Sequence, residues 1–330
     1  MRDLRGASVV VTGASSGIGR ATALAFARRG ARVVLAARRG AVLEDVAQDC
    51  EQVGGKAIVA PTDVTDAEAV AALARKAEEA FGGIHVWVNN AGAGVFGAFT
   101  EAPLDLHRRT IEINLLGAMY GAYAALPVFL RQRHGILINT ISIGAWVPNP
   151  FAAAYTASKF GLRGFAASLR QELGDCPDIH VCGVFPTVVD TPGLTHIANS
   201  AGRRINPGPL LYAPEDVAEA IVGLARSPRD EVAVGWPARA AQAAYALARG
   251  PTERLIGAAV RYAYRQAGPT PKTDGALLHP VPQGTEVSGG WRERNRVPSA
   301  RPASLAAGAV LLLGVTAALA YARTGSRRRG

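Results

Sequence analysis

Short apolar runs alternate with stretches in which apolar residues recur every three to four positions, from residue 8 to about residue 235. Ser8–Val11 is a β-branched run, broken by the loop Gly13–Gly19. Arg20–Arg29 then reads as an alanine-rich helix ended by Gly30, and Val33–Ala37 as a second strand. The alternation continues with a helix near Val42–Val53, a strand near Ala57–Pro61, a helix at Asp66–Phe81 and a strand at Ile84–Asn89. After two long helical stretches come a strand at Gly135–Asn139, a helix around Tyr155–Leu173, a strand at His180–Phe185 and a helix at Pro214–Ala225. Strands alternating with helices of about 10–15 residues predict a parallel sheet covered on both faces. Right-handed crossovers make it a doubly wound, Rossmann-like α/β domain over residues 1–237.

The pattern then changes. Residues 238–249 and 252–265 are helical in period and separated by Gly250-Pro251, giving a helical extension over 238–266. The second helix sets Arg254, Arg261 and Arg265 among apolar positions. It reads either as a membrane-surface helix or as one packed on the domain with a solvated face. Residues 267–302 are rich in proline and glycine without sustained period, and predict a linker. Between Arg301 and Arg323 lie 21 uncharged residues. As a helix they would span about 31 Å, against a hydrocarbon core of about 30 Å. Ala303–Ala322 is therefore expected to cross a membrane as a single helix, leaving a basic tail at 323–330.

Charge supports this reading over a nucleic-acid partner. The formal net charge is +10, but residues 251–330 hold 12 of the 36 Lys+Arg and only 4 of the 26 Asp+Glu. The excess sits around the apolar segment, not on the domain. Four arginines lie on each side of that segment, so the positive-inside rule gives no orientation. The first residues, MRDLRG, carry no apolar leader. Three cysteines suit a reduced compartment. Cys176, His180 and Cys182 lack a fourth partner at any familiar spacing, so no metal is expected.

Candidate chemistry begins with Thr12-Gly13-x-x-x-Gly17-x-Gly19 between strand and helix. Glycines there let the backbone turn sharply and approach a pyrophosphate at the helix N-terminus. At the end of the second strand, where an acid would accept a ribose 2′-hydroxyl, stand Ala37, Arg38 and Arg39. An arginine pair suits a 2′-phosphate, and two solvated surface arginines are the alternative. Tyr155 and Lys159 share a helical face at i, i+4, so an ammonium would lower the phenol pKa. Ser142 lies just beyond the carboxyl end of a predicted strand, where open parallel sheets bind ligands.

Together these motifs resemble the short-chain dehydrogenase/reductase family, over about residues 6–235. "NNAG" at Asn89–Gly92, Asp63 in "DVTD" and Asn114 in "INLLG" extend the resemblance. It implies a catalytic tetrad. Tyr155 would exchange a proton with the substrate oxygen, and Ser142 would hydrogen-bond that oxygen. Lys159 would tune Tyr155 and bind the nicotinamide ribose, and Asn114 would hold a relay water. NADP(H) is the implied cofactor. Its contacts would come from Thr12, Gly13, Ser15, Ser16, Gly17, Ile18, Gly19, Arg38, Arg39, Asp63, Val64, Asn90, Ala91, Gly92, Tyr155, Lys159, Pro186, Val188 and Thr191. Two positions depart from the family: Pro186-Thr187 replaces Pro-Gly, and His85 replaces an aspartate. The expected reaction interconverts a secondary alcohol and a ketone or aldehyde, on an apolar small molecule, with a homodimer or homotetramer as the implied assembly. A membrane-tethered NADPH sensor without turnover is the alternative. The catalytic domain is expected to be cytoplasmic, where NADPH is supplied.

Overall fold

The computed structural model describes residues 3–208 and 210–295. Strand β1 (Ser8–Thr12) leads through the glycine loop into α1 (Gly17–Ala27), followed by β2 (Arg32–Ala37), α2 (Gly40–Gln52) and β3 (Lys56–Pro61). Next come α3 (Ala67–Phe81), β4 (Val86–Asn89), the short β5 (Val95–Phe96), α4 (Leu104–Ile111), a π turn at Glu112–Leu116 and α5 (Gly117–Gln132). Then follow β6 (Gly135–Thr140), a 3-10 turn at Ile143–Ala145, α6 (Ala153–Glu172), β7 (Ile179–Pro186), α7 (Gly193–His196) and β8 (Ala198–Asn199). The described chain ends with α8 (Pro214–Arg226), β9 (Glu231–Val234), α9 (Trp236–Leu247), α10 (Arg249–Gln266) and α11 (Trp291–Arg294).

Seven strands form one parallel sheet in the order β3-β2-β1-β4-β6-β7-β9. Helices α1, α2 and α8 cover one face, and α3, α4, α5 and α6 the other. The sheet is buried on both sides, so its strands are apolar throughout: Val9 and Val11 enter one core, Val10 the other. The expected doubly wound fold is present. Its crossovers part company between β1 and β4, and that is where such folds open a crevice.

A buried polar cluster fixes the sheet beside this crevice. Trp87 Nε1 donates to Asn89 Oδ1 at 2.8 Å, and Asn89 Nδ2 donates to Ala118 O at 2.9 Å and to Asn139 Oδ1 at 3.0 Å. Helix α5 approaches the cluster closely at Gly121. His85, the departure from the family pattern, has a structural use, since its Nδ1 accepts the Ser8 N–H at 3.1 Å. The continuous helical stretch Leu104–Gln132 is long and apolar enough to cross a bilayer, but half of its apolar window is buried inside the domain. It is a core element here.

The C-terminal part differs from the linker expected for 267–302. Its described portion, 267–295, is a strap lying across the domain. It lacks a periodic pattern because other elements supply the partners for its backbone: Asn199 and Arg204 pair with Thr273 and Gly268, and Gly17 N–H donates to Glu286 O at 2.9 Å. Helix α10 packs against α9, with Thr252 and Gly257 as its buried residues. The expected membrane helix 303–322 and basic tail 323–330 lie outside the described residues.

A Cβ at Gly121 would collide with Asn89 Oδ1 and stand 2.7 Å from Trp87 Nε1. Gly121→Ala should therefore cost about 1–3 kcal/mol by overpacking. Thermal unfolding should show this as a melting point lower by roughly 2–10 °C.

Candidate active site

The crevice between β1 and β4 is a long cleft. Gly13, Ser16, Gly17, Ile18 and Gly19 line it from below, Arg38, Asp63 and Val64 at one end, and Asn90, Ala91, Gly92 and Thr191 toward the other. The glycines are required by space. Gly13 adopts φ +66°, and a Cβ there would stand 2.9 Å from Ala91 Cα. A Cβ at Gly19 would overlap the Gly13 carbonyl. The result is a backbone-walled cradle at the start of α1.

Thr12 stands behind the cleft as a buried clasp. Its Oγ1 donates to Val88 O at 3.2 Å and accepts the N–H groups of Asn90 at 2.9 Å and Ala91 at 3.1 Å. Ser15 and Arg39 are turned toward each other, with Arg39 Nη2 donating to Ser15 Oγ at 3.0 Å. Arg39 spends its other donors on Val281, Gln283 and Gly284 carbonyls of the strap. Of the expected arginine pair, Arg38 is the one that lines the cleft. Pro186 and Val188 do not line it, and Val188 is partly solvent-exposed.

At the Arg38 end, Asp63 accepts Thr65 N–H at 3.0 Å and Thr65 Oγ1 at 2.8 Å, and pairs with Arg109 at 2.7 Å. Burial pushes the Asp63 carboxyl up, but these Thr65 and Arg109 interactions outweigh it and hold it below the usual carboxylate range. Burial, with Arg109 nearby, lowers Arg38 from the usual guanidinium value, while Asp63 opposes the shift.

The four groups of the expected tetrad do not line the cleft themselves but gather behind its Gly92–Ala93 wall. Ser142 Oγ accepts the Gly144 N–H at 3.0 Å and lies near enough to the Tyr155 phenol to influence its ionisation. Lys159 Nζ donates to Thr140 O at 2.9 Å and lies 5.7 Å from the Tyr155 ring centre. Asn114, in the π turn, donates to Ala93 O at 2.8 Å and Ser158 Oγ at 3.0 Å, and accepts Ala93 N–H at 2.9 Å. A Cβ on Gly92 would come within 3.9 Å of Lys159 Nζ, so the cradle and the tetrad are contiguous.

The electrostatics differ from the expected tuning of Tyr155 by Lys159. Burial raises the Tyr155 phenol, opposed by the neighbouring Ser142 hydroxyl. Lys159 is itself brought down to about 8 by burial. Desolvation of two neighbouring buried groups dominates here.

Sequence reasoning did not reach Thr62, Gly193, His196 and Ala276, which also line the cleft. Ala276 and its neighbours carried little signal, because the arginines of the cleft reach them through backbone carbonyls. Beyond the tetrad, Phe151 stacks on Tyr264 at 4.6 Å and Phe96 lies 6.3 Å from Tyr264. Phe96 follows Gly94, where a Cβ would touch the Tyr155 ring at 3.3 Å.

The short chain dehydrogenase family model matches residues 7–201. The uncharacterized oxidoreductase YxnA of Bacillus subtilis is 32% identical over 281 residues, 84% of this chain and 79% of its own length. A match of that extent cannot stop before the strap begins. An uncharacterized oxidoreductase of Staphylococcus aureus is 36% identical over 220 residues, 67% of this chain and 91% of its own. An alcohol dehydrogenase from the archaeon Thermococcus sibiricus, solved with 5-hydroxy-NADP, superposes with a TM-score of 0.60 at 30% identity, covering 68% of this chain and 94% of that one. A metagenomic short-chain oxidoreductase in complex with NADP superposes with a TM-score of 0.60 at 33% identity, covering 70% and 97%. The chain belongs to the short-chain dehydrogenase family and is an oxidoreductase of that type.

Between about pH 8, the native Lys159 value, and its ordinary 10.5, the unfolded chain binds a proton that the native chain lacks. Native stability therefore gains with rising pH in that window. The melting-temperature difference between wild type and Lys159→Met should shift in favour of wild type from pH 8 to about pH 10. A difference that stays flat contradicts a depressed Lys159.

Proposed function

We propose that the protein is an NADP(H)-dependent oxidoreductase interconverting a secondary alcohol and a ketone or aldehyde on an apolar substrate, tethered to a membrane by Ala303–Ala322. The observation that carries this reading is a cleft lined by the glycine loop, Arg38 and Gly92, with Lys159 and its neighbour Tyr155 just behind the Gly92 wall. The backbone cradle of Gly13 and Gly19 fits a pyrophosphate, and Arg38 fits a 2′-phosphate that its charge would hold. Gly92, Thr191 and Lys159 would position the nicotinamide end. These residues would hold a nicotinamide dinucleotide, whose chemistry when bound is hydride transfer.

Tyr155 then handles the proton. With its phenol raised by burial it is protonated near neutral pH, as a donor to a carbonyl oxygen must be. Ser142, beside the phenol, orients that oxygen. Lys159, held by Thr140 O, places a proton-exchanging ammonium beside the phenol. Asn114, expected to hold a relay water, joins the Ala93 segment to α6 with its side chain and so sets the position of the helix carrying Tyr155 and Lys159.

Phe96, Phe151 and Tyr264 support an apolar substrate, since they form an aromatic cluster in the segments flanking Tyr155. The tether would hold such a substrate's source close. Exposed Met119, Tyr123 and Leu130 on α5 and Phe160 on α6 suit a homodimer or homotetramer. A cytoplasmic catalytic domain completes the reading.

Purified protein should oxidise NADPH in preference to NADH when offered apolar ketones and aldehydes, followed by absorbance. Tyr155→Phe should lower kcat by about 10²–10⁴-fold while NADPH affinity holds. Ordinary turnover in that variant removes Tyr155 from the reaction. Deleting residues 303–330 should move the protein from the membrane pellet to the supernatant on fractionation. A truncated chain that still pellets would oppose the tether and point to α10.

A further inference from the structure

The strap 267–295 has no counterpart in the chemistry described so far, yet it touches both ends of the cleft. At the Arg38 end, Arg38 Nη2 donates to Ala276 O, and Nη1 approaches the carbonyls of Leu277 and Leu278 at 3.5 Å. Arg109 Nε donates to the same Leu277 O at 3.3 Å, and the Leu277 side chain is wholly buried in the core. In mid-cleft, Glu286 O accepts the N–H of Gly17, the first residue of α1. At the far end the strap is fastened to Asp190, next to Thr191. The buried Asp190 carboxylate accepts Ser288 Oγ at 2.9 Å, Trp291 N–H at 2.8 Å and Arg292 N–H at 3.3 Å.

We propose that this strap completes the dinucleotide site: it roofs the cleft, aims Arg38 at the 2′-phosphate, and must lift for cofactor to exchange. The inference rests on the cofactor reading above. Two features distinguish a roof from an obstruction. The strap contributes neutral carbonyls to Arg38, which orient the guanidinium without cancelling its charge, so the charge stays available to an anion. The cleft also persists beneath the strap, with Ala276 as part of its wall and the glycine loop still lining it. Arg39 serves the same design, pinning Val281, Gln283 and Gly284 to Ser15 of the glycine loop. A dinucleotide lying in the cleft would be crossed by the strap at adenosine, pyrophosphate and nicotinamide ends alike.

The strap can be loosened without altering a cleft residue. Gly284 has φ +69°, and a Cβ there would stand 2.5 Å from His196 Nε2 and 2.9 Å from Pro192 Cβ. Gly284→Val should displace the mid-strap. Ser288→Ala, a milder change, removes one bond to Asp190. In the full-length protein, NADPH and NADH would be loaded and their release followed by stopped-flow nucleotide fluorescence, with tryptic cleavage after Lys272 reporting strap position. We expect Gly284→Val to release NADPH about tenfold faster and to lose part of its preference for NADPH over NADH, with Ser288→Ala changing in the same direction by about two- to threefold. Release rates equal to wild type, in variants that trypsin cuts faster, would overturn the inference. Tighter NADPH binding through faster entry alone would also overturn it, by making the strap a competitor for Arg38. Wild-type protein that binds neither dinucleotide would sink the cofactor reading itself, and this inference with it.

Discussion

Where the connections from β1 and β4 diverge, nothing in a parallel sheet by itself sets the width of the crevice. Here it is set by Thr12. Its hydroxyl bonds to Val88, Asn90 and Ala91, while Asn90 Nδ2 returns a bond to Thr12 O at 3.0 Å. The segment after Asn90 is held in turn by Asn114 through Ala93, and Asn114 reaches Ser158, whose Oγ donates to Tyr155 O at 2.7 Å. Two sets of hydrogen bonds, joined by the backbone from Ala91 to Ala93, thus tie the end of β1 to the Tyr155 backbone carbonyl. The spacing between the glycine loop and the start of α6 is thus held by backbone and buried amides, not by mobile side chains.

Burial governs the charges along this line. Tyr155 and Lys159 are both desolvated, and desolvation moves the phenol up and the ammonium down. Both shifts bring the pair toward neutral forms, which lowers the cost of placing them side by side away from water. At the other end, Arg38 and Arg39 are adjacent and half-buried, and both are lowered chiefly by burial. Carbonyl oxygens are the partners that stabilise such cations without neutralising them. The Asp63 carboxylate at the same end offsets part of the Arg38 charge.

The parts legible in the sequence are those whose stability is written in side chains. Val9, Val10 and Val11 read as a strand because both faces of β1 are covered. Gly13, Gly19, Tyr155 and Lys159 could be placed from spacing, since a loop and a helix fix their relative positions. The π turn carrying Asn114 was not legible, because the helix runs on through it and Gly117 at its end keeps ordinary helical dihedrals. The different fates of Arg38 and Arg39 were not legible either. They depend on carbonyls that lie some 240 residues away in the chain.

The strap shows why composition misled there. A segment of prolines and glycines without apolar period looks like a linker because it has no face to bury. An extended segment can still be fixed if its carbonyls meet donors that another element has already ordered. Arg38, Arg39 and Arg109 are such donors, and Gly17 N–H at the start of α1 is another. Asp190 completes the arrangement by accepting the strap's own N–H groups at its far end. Side chains of the folded domain thus fix much of the strap's path, with the buried Leu277 and the Ser288 hydroxyl as the strap's own anchors. Arg38 both lines the cleft and holds the strap, so neither contact can be altered without touching the other.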